Sequence, residues 1–409
     1  MDALTFLRDR TRNKWMFGIF LLFALEPMIG ALTRRFSKPG WWLGDFDALI
    51  CGAQRLGQGQ SPYVDPANCS GLKAASYVYA PQIGKAIAPL EQLLGPWGLH
   101  WTYGAILLPL LVFLLWYTMI KPFPDLPLHM RLMALSAIRG NPLTTGNIGG
   151  VIHALIVASV LVIRKWRWLF IAMVITAGLI KPAFLTVLVV LLYEKRPFTH
   201  RLVTFGIALA LGLAGVATIF LTAGPLSAEW HAYVVDIVLN RQPGRGFFAL
   251  LTYIGLEPNT LPVFLAYMVF AAIIISGGLA LVEWGPLTVE ERCFFGLGVA
   301  QLINPRLFEY NFDLYLLYPA MAMVVMMAEP LNRKAFVWLS WLYVITMGAN
   351  FWISIIGINI LRYFPGTFLI SCVIYLTVVG LTLHARRETL QAWSQRPGIW
   401  LRALRKAST

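Results

Sequence analysis

Acidic side chains are scarce in this chain, which has 19 Asp and Glu among 409 residues and only 13 % charged residues of either sign. A soluble domain carries about 25 %, so a soluble globular fold is excluded. Cysteine is scarce as well, four in all. Neither the cysteines nor the six histidines cluster at zinc-ligand spacing. The apolar runs are continuous and lack the alternation of ~10-residue barrel strands, which excludes an outer-membrane barrel. No internal repeat and no low-complexity tract is visible. The first apolar run, Trp15 to Leu32, is followed by Thr33-Arg34-Arg35 and not by a small-residue cleavage site, so it reads as a retained anchor.

What the chain has instead is apolar length. Hydrophobic residues make up 58 % of it, and a membrane-spanning helix needs roughly 20 of them in a row. The pattern predicts an all-α integral membrane protein with about twelve transmembrane helices. The crossings fall near 15–33, 97–119, 127–140, 150–163, 168–180, 183–193, 202–222, 260–282, 293–304, 312–328, 334–358 and 366–384. Residues 1–385 then form one polytopic domain. Residues 386–409 form a basic amphipathic cytoplasmic tail with Trp393 and Trp400 among arginines.

With both termini cytoplasmic, most of the 33 basic residues fall on the cytoplasmic side, as the positive-inside rule requires. The net charge of +14 is therefore orientation charge, with contacts to anionic membrane lipids, and does not indicate nucleic acid. Keeping Arg164–Arg167 and Lys195–Arg201 on one side requires two short legs between them, with Lys181-Pro182 at an exterior apex. Two long exterior loops remain, near 34–96 and 223–259. Long loops of this kind are usually functional.

The first loop opens with two rare acids, Asp45 and Asp47, ahead of helically spaced Phe46, Leu49, Ile50, Ala53 and Leu56. This spacing predicts an interfacial helix with Asp45 where an N-cap would stand. Asp45 reads either as that cap or as a general base at the membrane face, with Asp47 the alternative base. Asp-x-Asp also leaves a divalent metal open, although no cofactor is expected. Further on come Tyr77-Val78-Tyr79-Ala80-Pro81 with an apolar segment Ile83 to Leu94, the polar glycine loop around Gly146-Asn147, and Ile180-Lys181-Pro182. A lysine between apolar runs either meets an anion or snorkels to the interface. Asn304 to Asp313 gathers Arg306, Glu309 and Asp313 in one short turn, and the second loop adds Glu229, His231, Asp236 and the segment Arg241 to Gly246, which could cover a phosphate. Cys51 and Cys69 share the first exterior loop, where a disulfide is one option and a buried thiol at Cys51 the other. Cys293 and Cys372 fall in crossings and read as packing residues.

Taken in order, Asp45-Phe46, Ala53, Gly59, Tyr63, Gly146-Asn147 and Ile180-Lys181-Pro182 resemble the polytopic mannosyltransferases of glycosyltransferase family 87, in the C-type glycosyltransferase superfamily. The resemblance covers most of the chain. It departs at Leu49, where the family has Tyr, and at Asn304-Pro305-Arg306-Leu307-Phe308-Glu309-Tyr310, where the family commonly has Ser-Pro-x-x-Trp-x-His. The resemblance implies the C-type fold in an inner membrane and transfer of a sugar from a polyprenyl-phosphate donor to a lipid or glycan acceptor, with inversion. It implies Asp45 as general base and Lys181 and Arg306 as donor-phosphate ligands. Asp47, Tyr79, Asn147, His231 and Glu309 would line the sugar or acceptor pocket. The departures leave a mannose donor unassumed. A flippase of a lipid-linked saccharide and a polysaccharide polymerase or ligase are the competing classes.

Overall fold

The structure, a computed structural model, describes residues 42–65, 68–120, 145–241, 246–258, 260–284, 287–305, 337–343 and 366–387, with isolated positions between 18 and 36 and at 244, 334 and 335. Among the described residues the regular structure is helical, and the nearest thing to a strand is an isolated bridge between Cys69 and Leu72. Helices Pro81–Thr118, Phe198–Leu221, Leu261–Glu283 and Phe368–Ala385 are long and apolar enough to cross a membrane. They coincide with expected crossings. Their outward faces are apolar too: Leu202, Val203, Ile207, Leu211 and Leu213 are all at least half exposed. Apolar surface on that scale suits lipid and not water, so the chain is an all-α membrane protein. The expected crossings at 127–140 and 312–328, and most of 15–33 and 334–358, lie outside the described residues.

Helices α1 (Gly44–Gly57) and α2 (Pro81–Leu114) build the first loop and lead into the bundle. α2 breaks at Gly95, whose φ of 67° is open to glycine. The break separates the predicted segment Ile83 to Leu94 from the crossing that follows. α1 lays Phe46, Leu49, Ile50 and Ala53 into the core. Gly52 admits the Tyr77 ring, which a Cβ would meet at 2.3 Å. A disulfide joins Cys51 to Cys69, which selects between the two options left open by the sequence. Cys293 and Cys372 are buried.

Two hairpins follow. α3 (Ile148–Leu161) turns into α4 (Arg167–Ile180), and α4 turns at Lys181 into a 3-10 run, Pro182–Val189, that continues as α5 (Val190–Tyr193). Arg167, at the start of α4, grips Glu194, just beyond α5, through two hydrogen bonds of 2.9 and 2.6 Å. The two legs are therefore antiparallel, as the charge distribution predicts, with Lys181 at the far end. The 3-10 geometry differs from the expected α-helix and has a length consequence. Its rise of ~2.0 Å per residue gives the second leg about 22 Å, against about 21 Å for α4 at 1.5 Å per residue.

The bundle continues through α6 (Phe198–Leu221), α9 (Leu261–Trp284), α10 (Val289–Leu302) and α11 (Gly366–Ala385). Between α6 and α9 the second loop folds as α7 (Ser227–Val234), a π-turn at Val235–Arg241 and α8 (Phe247–Tyr253). At the end opposite Lys181, Arg201 and Arg292 are buried and share Glu283 at 2.7 and 2.6 Å. They also donate to the carbonyls of Leu192, Tyr193 and Val282, which are the acceptors that helix C-termini leave unsatisfied.

Candidate active site

The site starts from a close backbone approach. Leu43 precedes α1 in the left-handed region at φ 57°. Gly146, with φ +63°, lies so near that a Cβ would sit 2.9 Å from the Leu43 Cα. Only glycine satisfies both the conformation and the spacing. This contact sets the first turn of α1 beside the first turn of α3.

Asn147 is the N-cap of α3, and its side-chain oxygen accepts the Gly149 N–H at 2.9 Å. The same oxygen accepts from Lys181 Nζ at 2.6 Å. The amide nitrogen donates to Asp45 Oδ2 at 2.8 Å. Two donors on one atom and a carboxylate on the other fix the amide's orientation chemically. Asp45 and Lys181 are therefore no more than about 8 Å apart, two hydrogen bonds plus the width of one amide. Lys181 is held there because its backbone is extended, as a residue before proline prefers, at φ −141° and ψ 101° between α4 and the 3-10 run. Its ammonium also lies 5.5 Å from the centroid of the Tyr79 ring, within cation–π range.

Tyr79 is buried and anchored through its backbone, whose carbonyl accepts from Tyr63 Oη at 3.0 Å. Tyr77 Oη donates to the Ala80 carbonyl and accepts from Gly84 N–H. Burial pushes the Tyr63 and Tyr77 phenols well above their ordinary range, so both act as neutral donors. The second loop closes over this tyrosine wall: Trp230 Nε1 donates to the Val78 carbonyl, and Tyr63 packs against Tyr233.

Four of the predicted site residues, Asp45, Tyr79, Asn147 and Lys181, are thus brought together from four separate stretches of chain. Others are not. Leu43 is the N-cap of α1 and Asp45 is the second residue of the helix, which corrects the expectation that Asp45 stands at the cap position. Asp47 turns to the opposite side, buried, with Oδ1 2.6 Å from His100 Nδ1 on α2. Burial raises its pKa, and the hydrogen bond and charge of His100 offset only part of that. Asp47 is a packing partner of α2, and the two carboxylates of Asp-x-Asp do not converge. His231 is exposed on α7 and makes no hydrogen bond to the cluster. Arg241 is paired with Asp236 and Asp65, and Arg245, the other cation of the segment that could cover a phosphate, lies outside the described residues. Arg306 and Glu309 lie outside the described residues. Among the described residues, no group of three or more His, Cys, Asp or Glu could hold a metal ion. Sequence reasoning missed His100, which stands 53 residues from Asp47 with no local pattern linking them.

No protein-family model, curated protein or solved structure matches the chain.

Proposed function

We propose that this membrane protein is a glycosyltransferase that moves a sugar from a polyprenyl-phosphate donor to a hydroxyl of a lipid or glycan acceptor. The observation that carries the reading is the relay Asp45–Asn147–Lys181, an acid and a cation held a sugar's width apart by one oriented amide. An acceptor hydroxyl beside Asp45 gives its proton to the carboxylate as its oxygen attacks the anomeric carbon. The bond from that carbon to the phosphate oxygen breaks, and its electron pair leaves with the phosphate. Lys181 meets the charge that develops there. Attack and departure on opposite faces invert the configuration.

The legs carrying Lys181 are about 21–22 Å long, less than the ~30 Å hydrocarbon thickness. A lysine so recessed suits a phosphate whose prenyl tail remains in lipid. The disulfide on α1 favours an oxidising, exterior site, where lipid-linked and not nucleotide-linked sugars are the available donors. In this reading both termini are cytoplasmic, the bundle has the C-type fold, and Arg306 joins the phosphate site.

The test is transfer of labelled sugar from polyprenyl-phosphate donors by the purified protein. A covalent glycosylated product is expected, lost in Asp45→Asn and obtained only at raised donor concentration in Lys181→Ala. Full activity of a folded Asp45→Asn variant would remove the base. Saccharide movement across vesicles without a product would make the protein a flippase.

A further inference from the structure

The end of the bundle opposite Asp45 carries a second chemical feature, unrelated to the proposed transfer. Two tight turns meet there: 162–166 between α3 and α4, and 194–197 between α5 and α6. The Arg167–Glu194 pair holds them side by side. Each turn presents two basic residues, Arg164 with Lys165 and Lys195 with Arg196, all exposed. Three of the acids at this end are committed elsewhere. Glu194 is buried between Arg167 and Arg196, Glu283 is shared by Arg201 and Arg292, and Glu291 closes the capping box of α10 with Thr288. Glu290, exposed on the first turn of α10, lies near enough to act on Cys293 alongside Glu194 and Arg167, and it is one acid set against the four basic residues of the two turns. Arg164, Lys165 and Lys195 carry no ion pair among the described residues.

The surroundings of this patch are apolar. Trp166 is 57 % exposed, Trp168 68 % and Phe198 40 %, with Lys165 Nζ 5.9 Å from the Trp166 ring centroid. Indole rings beside cations at the end of apolar helices match the headgroup level of a bilayer. Cations at that depth attract phosphate, and rings beside them pack on glycerol and acyl carbon. A soluble anion would use the charge and leave the rings in water.

We infer that these two turns form one binding site for the phosphate of an anionic phospholipid, with Arg164, Lys165, Lys195 and Arg196 as its ligands and Trp166 and Trp168 as its apolar flank. Two sequence segments some thirty residues apart become one site because the α4–α5 hairpin returns to its starting level. The site differs from a diffuse orientation charge in that it requires the two turns together.

The experiment uses the full chain in neutral detergent, with lipid binding read by native mass spectrometry and by the shift in thermal midpoint. Phosphatidylglycerol, phosphatidylcholine and inorganic phosphate are the three arms. The wild type should prefer phosphatidylglycerol by about tenfold or more, as expected for several basic residues at one headgroup, and inorganic phosphate should leave the midpoint unchanged. Replacing all four basic residues by Gln should abolish the preference. If that variant does not fold, Lys165→Gln and Lys195→Gln alone should each lower it several-fold. Trp166→Ala with Trp168→Ala should weaken both lipids. Equal binding of the two lipids, an intact preference in the neutralised variants, or an equal midpoint shift with inorganic phosphate would each overturn the proposal.

Discussion

Asn147→Asp separates two jobs that the wild-type amide performs together. An aspartate is as good an N-cap as asparagine, so α3 keeps its Gly149 bond, and a carboxylate oxygen still accepts from Lys181. What is lost is the donor to Asp45, and a second negative charge takes its place. The present Nδ2 to Oδ2 distance is 2.8 Å, and two carboxylates would open to about 4 Å. At that separation and an effective dielectric near 20, the repulsion is about 4 kcal/mol, equivalent to about 3 pKa units as an upper bound. Lys181, 2.6 Å from the Asn147 oxygen, cancels part of it, which leaves a net rise of roughly 1–2 units in the proton affinity of Asp45. A base is active when deprotonated, so the acidic limb of the pH–rate profile should move up by that amount. The limb is read from kcat/KM for sugar transfer between pH 4 and 9, with thermal unfolding followed in parallel. Asn147→Leu removes cap and relay together and should cost about 1–3 kcal/mol of stability as well as activity. An Asn147→Asp enzyme with an unmoved acidic limb would falsify the relay, and an Asn147→Leu protein as stable as wild type would remove the cap.

The Asp47–His100 pair makes a different demand. The Asp47 pKa is raised by burial, so near and above the ordinary value of 3.8 the folded protein holds a proton that the unfolded chain has released. Its contribution to stability is therefore complete below that value and declines as pH rises toward the folded pKa; Asp47→Asn should flatten this slope in pH-dependent unfolding. His100→Ala leaves Asp47 buried without its partner and should destabilise by about 3–5 kcal/mol, measurable by denaturant titration in detergent. Gly146→Ala sets a methyl against the Leu43 backbone in a left-handed conformation. About 2–4 kcal/mol should be lost, with transfer activity falling because Asn147 moves off Asp45. Cys51→Ser with Cys69→Ser opens an 18-residue link and should lower stability by about 3 kcal/mol, with wild-type protein in reductant behaving the same way.

Several parts of this protein are legible in its sequence alone. Apolar run length and scarce charge define an all-α membrane protein, because a bilayer admits few other solutions. The hairpin between residues 167 and 193 followed from charge alone, since Arg164–Arg167 and Lys195–Arg201 had to share a side. Helix α1 showed in the spacing of its apolar residues, and the segment Ile83 to Leu94 stood apart from the crossing at 97–119, although the Gly95 break that parts them was not read.

The partners were not legible. Asp45 and Asp47 look equivalent in sequence, two residues apart on one helix. A helix turns about 100° per residue, so the two face different neighbours, and which neighbour each meets depends on how α1 packs. That packing is set by the contact of Leu43 with Gly146 and by Cys51 with Cys69, none of which is local. The family resemblance grouped Asn147 and Lys181 with Asp45, but by residue pattern alone Asn147 was one polar residue in a glycine loop and Lys181 one cation in an apolar stretch. Hydrogen bonds between residues 102 and 34 positions apart have no periodic signature, because they arise only when separate helix ends are packed to the same level. The sequence determined the solvent and the local helices through patterns a few residues long. The tertiary structure decided which acid faces the cation, because that choice rests on contacts between segments far apart in the chain.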